Sequence, residues 1–185
     1  MKKTVFGLIA MTLITAGTAL SAQNAADFTY TVSNGAITIT GYTGSAQHVT
    51  IPGRIDALPV TAIADHAFYE AKLSSVVIPD SVAAIGEVAF RGNRLTGLTI
   101  PASVTVIEGW AFAYNQLTSV TIPASLTAIG DSVFLGNRLT SVTIPDSVTA
   151  IANNAFSNNQ LTSVTIPDSV TAIGDGAFAY NELTS

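Results

Sequence analysis

Two histidines, His48 and His66, twelve carboxylates and no cysteine are what this 185-residue chain offers to acid–base, nucleophilic or metal chemistry. A general base needs a group that orients it, and a nucleophile needs a base within hydrogen-bond reach. His48 precedes Val49-Thr50-Ile51, a strand-like stretch that turns its imidazole outward. Taken at a 22-residue spacing, His66 shares a column with Val88, Trp110, Ser132, Asn154 and Gly176, and that variety marks a surface position. Asp65, Glu87, Asp131 and Asp175 recur in one column as a calcium ladder would, but Gly109 and Asn153 break it. The Gly-Gly-x-Gly-x-Asp spacing of calcium-binding rolls is also missing, so a solvated acidic face is the reading. Gly174-Asp175-Gly176 reads as a turn, because no helix start with Lys or Ser follows it as a phosphate loop requires. No catalytic residue, metal ligand or cofactor is assigned, and the chain is expected not to be an enzyme.

The remaining chemistry is that of recognition. Ser119 and Thr121, Ser141 and Thr143, Ser163 and Thr165 form a candidate hydroxyl array on strand faces, repeating every ~4.8 Å if neighbouring strands pair. Such an array could match a polysaccharide or an ice surface, although Val77 and Gly97 interrupt it and Ser and Thr are ordinary residents of strands. A second candidate is a ridge. Lys72, Arg94 and Arg138 share a column with Gln116, Gln160 and Glu182, and Arg91, Tyr69, Tyr114 and Tyr180 lie within three residues of it. Arg and Tyr are residues that protein interfaces favour. Trp110 stands on the arc at a variable column, as a candidate exposed contact.

The elements that hold these residues are copies of one another. Five 22-residue units run 73–94, 95–116, 117–138, 139–160 and 161–182, after a divergent unit of 27 residues, 46–72. Ile63, Ile85, Ile107, Ile129, Ile151 and Ile173 make one column; Phe68, Phe90, Phe112, Phe134, Phe156 and Phe178 make another. No such unit can bury its apolar face alone, so the units must stack into a solenoid with one continuous core. Within each, a run such as Ser163-Val164-Thr165-Ile166 alternates like a half-buried strand, and Pro167 ends it. Asp168-Ser169 supplies turn or cap chemistry, and Val170, Ile173, Ala177 and Phe178 fit a short helical or 3-10 arc. Upstream, two alternating runs flank Asn34-Gly35, which predicts a β-hairpin over 28–40. Residues 23–45 are expected to cap the exposed end of the core, and 46–185 to form the repeat domain.

The pattern Leu-x-x-Val-x-Ile-Pro-x-x-Val-x-x-Ile-x-x-x-x-Phe-x-x-Asn resembles the leucine-rich repeat of BspA-like and treponemal bacterial surface proteins, over residues 46 to 185. The resemblance implies a right-handed α/β-type horseshoe with a parallel concave sheet, convex helical or 3-10 arcs and adhesion to host matrix proteins or other cells. That curvature would spoil the match of a hydroxyl array to a flat lattice. Many relatives carry Cys before the next strand; here Asn93, Asn115, Asn137, Asn159 and Asn181 stand there, and a buried Asn can bond the adjoining turn as a ladder.

Met1-Lys2-Lys3, the apolar run Thr4 to Leu20 and the small residues before Ala22 predict a secretory signal peptide over 1–22, with no membrane insertion after cleavage. Without it, five basic residues face twelve acids for a net charge of −7, which repels nucleic acid. A secreted or bacterial cell-surface protein binding an extracellular protein ligand is the leading expectation. A structural envelope spacer and a carbohydrate or ice binder are the alternatives. Leu183-Thr184-Ser185 opens a further unit, so a fragment is expected, or an uncapped edge prone to end-to-end self-association.

Overall fold

The computed structural model describes residues 24–184, and the expected signal peptide lies outside them. After a 3-10 turn at Ala25–Asp27, strands β1 (Phe28–Ser33) and β2 (Ala36–Tyr42) pair antiparallel about Asn34 and Gly35. Both turn residues have positive φ, 50° and 75°, as a two-residue hairpin of this twist requires. β2 pairs in parallel with Leu58–Ile63, joining the hairpin to the first coil. The extra residues of the divergent unit form a second small hairpin, Arg54–Ile55 against Leu58–Ile63, turning at Asp56 and Ala57.

Each coil has three sides. The first carries the Val-x-Ile strands, paired in parallel as His48–Thr50 with Ser75–Val77 and Gly97–Thr99 with Ser119–Thr121. On the second the Ile column forms its own ladder, Ile39 to Ile63 to Ile85 to Ile107, then Ile129 to Ile151 to Ile173. The sequence pattern predicts a helical arc for that column, and the structure makes it a strand ladder. From Ile85 onward the strands there are two residues long, too short for alternation to show.

The third side is where the arc was expected to be helical, and it is not: the 3-10 turn at Ala25–Asp27 is the only helix among the described residues. Left-handed residues recur four apart, at His66 and Glu70, Val88 and Gly92, Trp110 and Tyr114, and so down the stack. A positive φ aims the N–H along the stack instead of back into a helical turn. His66 and Glu70 therefore donate to the carbonyls of Glu87 and Arg91 on the next coil, at 2.9 and 3.0 Å, and Phe68 between them, without a positive φ, donates to Ala89 at 2.8 Å. Ala67, Tyr69 and Ala71 close local turns onto Ala64, His66 and Phe68. The same alternation repeats in the following coils.

Two side-chain ladders fill the core behind that side. The rings of Phe68, Phe90, Phe112, Phe134, Phe156 and Phe178 stack with centroids 4.8–6.0 Å apart, and Phe28 and Tyr42 from the hairpin close on Phe68. Each Asn spans two coils: Asn93 accepts from Leu73 N at 2.9 Å and donates to the carbonyls of Phe68 and Phe90 at 2.8 and 2.9 Å. Asn115, Asn137, Asn159 and Asn181 repeat the arrangement. A polar group buried with its bonds made costs little, whereas one left unmade costs about 1–3 kcal/mol.

Candidate functional site

The groups with acid–base potential do structural work or face solvent. His48 is exposed, its Nδ1 2.8 Å from the Ser75 hydroxyl. The Asp65 carboxylate accepts from Glu87 N, and the Asn153 amide oxygen from Asp175 N, both at 2.8 Å. These bonds explain Gly86 and Gly174: a Cβ on Gly86 would come within 2.6 Å of Asp65 N, and one on Gly174 within 2.5 Å of Asn153 N. The acidic column is thus partly a set of cross-coil ties as well as a solvated face. No group of three or more His, Asp or Glu that could hold a metal ion occurs among the described residues.

Of the serines two residues after the repeat prolines, expected to supply turn or cap chemistry, all but the last tie one coil to the one before it, while the Ser169 hydroxyl is buried without a partner. Ser81, Ser103 and Ser147 donate to the carbonyls of Gly53, Val82 and Leu126 at 3.2, 2.6 and 2.8 Å.

The strand-face hydroxyls Ser119, Thr121, Ser141, Thr143, Ser163 and Thr165 are all exposed. They do not form one lattice. Thr121 lies opposite Thr99 and Thr143 opposite Thr165, but among the described residues no strand pairing joins Ser119–Thr121 to the coil of Thr143. Nor does Ser75–Val77 pair with Gly97–Thr99. There a groove of about 500 Å³ opens, lined by Val77, Asp80, Gly97, Thr99, Ser119 and Thr121. The interruptions at Val77 and Gly97 are therefore walls of a depression, and a Cβ on Gly97 would meet nothing within 4 Å.

The ridge divides in two. Arg91 sits at the centre of three rings, its guanidinium carbon 5.7 Å from the Tyr69 centroid, 5.5 Å from Trp110 and 5.1 Å from Tyr114. Trp110 and Tyr114 stack on each other at 6.3 Å, and His66 meets Tyr69 edge-on at 6.0 Å. Tyr114 lies over Gly136, where a Cβ would come within 2.7 Å of its ring. The cluster thus spans four coils. The Tyr69 hydroxyl ionises above its ordinary range, chiefly because the Glu70 carboxylate accepts its hydrogen bond; burial and the Glu70 charge add to this and Arg91 opposes it. Lys72, Arg94 and Arg138 are exposed and take no part in the cage, and Tyr180, 84% exposed, sits on the last coil.

Trp110, expected to project freely, is half-buried and belongs with Arg91. The register held a signal for this: Tyr69 and Arg91 share a column, and Trp110 and Tyr114 flank that column one coil further on. The cage has a conformational cost. Trp110, Tyr114 and His66 hold φ of 61°, 54° and 59°, a region that costs a residue with a Cβ about 1–2 kcal/mol. Each ring–guanidinium contact returns about 0.5–1 kcal/mol at such partly exposed sites.

The family model for the BspA-type leucine-rich repeat region matches residues 61–184 in six copies. A leucine-rich cell surface protein from Faecalibacterium prausnitzii is 30% identical, with a TM-score of 0.67 over 92% of this chain and 57% of its own. A leucine-rich repeat protein of T. pallidum is 28% identical, with a TM-score of 0.71 over 89% of this chain and 92% of its own. The pneumococcal vaccine antigen PcpA is 27% identical, with a TM-score of 0.67 over 86% of this chain and 47% of its own. The chain thus spans little more than half of the first of these structures and about half of the third. A search of curated proteins found no match. No helix among the described residues is long and apolar enough to cross a membrane.

Proposed function

The chain belongs to the BspA-type leucine-rich repeat family, and from that premise we propose that it is a surface-displayed, non-enzymatic module that binds an extracellular protein. The observation that carries the reading is the Arg91 cage. Tyr, Trp and Arg are the residues that dominate binding energy at protein interfaces, and here they gather on one side of a rigid stack. Lys72 and Arg94, on the adjoining edge, add positive charge to an otherwise acidic molecule. A solenoid suits this task because its surface columns vary without disturbing the core. That a similar structure is a cell surface protein supports export and display, and adhesion to matrix or host-cell proteins is the specific form proposed.

The test is surface plasmon resonance of the full chain over a panel of immobilised extracellular-matrix proteins. Saturable binding to at least one is expected, lost when Lys72, Arg94 and Tyr114 are replaced together. Binding to none of them would remove the adhesin reading. The hydroxyl-lined groove at Gly97 favours one second reading, carbohydrate recognition. Replacing Thr99, Ser119 and Thr121 by Lys abolishes attachment on that reading and leaves it intact on the first.

A further inference from the structure

We propose that the Arg91 cage is a receptor for a carboxylate side chain of the partner, an Asp or Glu set between apolar residues. The inference rests on the protein-binding reading and names the chemistry of its central contact. Three observations carry it.

The first is what Arg91 lacks. Its Nε is buried and has no hydrogen-bond partner, and its neighbours are the rings of Tyr69, Trp110 and Tyr114. Rings cover the faces of the guanidinium and shut Nε away from solvent, so on this partly exposed residue the edge left for an incoming acceptor is that of the terminal Nη groups. Aromatic walls also lower the local dielectric, which strengthens a charge-assisted bond formed there. The planar fork of Arg fits a carboxylate in two parallel bonds.

The second is the surround. Tyr69 and Tyr114 are 40% and 45% exposed, so the walls offer apolar area to residues that flank the carboxylate. Lys72 and Arg94, stacked in neighbouring coils of the adjoining edge, carry the same sign of charge as Arg91. Glu70, hydrogen-bonded to Tyr69, offsets part of that charge, but the rest of the mature chain is more acidic still, so a negative partner is drawn to this place and repelled elsewhere.

The third is conformational. In later coils the backbone positions of Trp110 and Tyr114 hold Ser132, Asn154, Gly176, Gly136, Asn158 and Tyr180, and four of these six are Asn or Gly, the residue types that accept positive φ most readily. Folding alone favours those types. Large rings kept in a disfavoured conformation are a mark of a functional surface.

The sole tryptophan of the chain is Trp110, so intrinsic fluorescence reports on this site and no other. Acetyl-Leu-Glu-Leu-amide is titrated into the full chain, with acetyl-Leu-Gln-Leu-amide as control and a galacturonate oligomer as a third arm. The expected result is a saturable change in Trp110 emission with the Glu peptide, at least about tenfold weaker for the Gln peptide. Arg91→Lys, which keeps the charge and loses the fork, weakens it by about tenfold with an unchanged melting temperature. Arg138→Gln leaves it as it was. No response to the Glu peptide, an equal response to the Gln peptide, or full binding by Arg91→Lys each overturns the proposal. So does a stronger response to galacturonate, which would make the cage a site for acidic polysaccharide. If the peptide fails while the chain still binds a matrix protein, the receptor inference falls and the adhesin reading stands.

Discussion

At one left-handed column the first three coils carry His66, Val88 and Trp110, and the next three carry Ser132, Asn154 and Gly176. In the column of Arg91 the early coils hold Tyr69, Arg91 and Ala113 where later ones hold Leu135, Ser157 and Ala179. The backbone does not register the change. Val88, Trp110, Ser132 and Asn154 donate alike to the carbonyl of the next coil, at 2.9–3.0 Å. Frame and surface are separable in this molecule: the late coils show what the frame accepts by default, and the early ones what has been laid over it.

The largest expected effect tests the frame. Phe134→Ala and Phe90→Ala each remove a ring stacked between two others in a buried column, and each costs about 3–5 kcal/mol in urea unfolding. A frame uniform along its length gives similar values for both; a much smaller cost in one half would break the comparison. Asn137→Leu comes next. It strands Leu117 N and the carbonyls of Phe112 and Phe134, and a loss of about 3 kcal/mol is expected in the same experiment.

Smaller effects test the overlay. Trp110→Asn removes two ring contacts while relieving backbone strain, so stability moves by less than about 1 kcal/mol in either direction. A fall of several kcal/mol would make Trp110 part of the frame. Arg138→Gln, exposed and outside the cage, should shift the melting free energy by no more than about 0.5 kcal/mol.

The frame was legible where residue type dictates position. Ile, Phe and Asn recur at a fixed spacing, and burial, stacking and the Asn ladder followed from that spacing. The arc was misread because its conformation is not written in its residues. Val88 and Trp110 are poor choices for positive φ, and the cross-coil ladder imposes it on them. Propensity sees one coil, and that ladder exists only between two. Arg91, Tyr69 and Tyr114 were visible as a ridge, but their convergence with Trp110 depends on how adjacent coils register. The groove at Gly97 was hidden for a related reason: alternation predicts a strand and says nothing about whether neighbouring strands pair.

One comparison tests the separation of frame and surface most directly. Tyr69→Ser, Trp110→Asn and Tyr114→Asn are combined in one full-length variant, and Leu135→Ser, Arg138→Gln and Tyr180→Asn in another, and both are measured for binding to the same panel of matrix proteins. The account predicts that the first variant loses binding and the second keeps it, with both melting within a few degrees of the parent. Loss of binding by the second variant alone would contradict it.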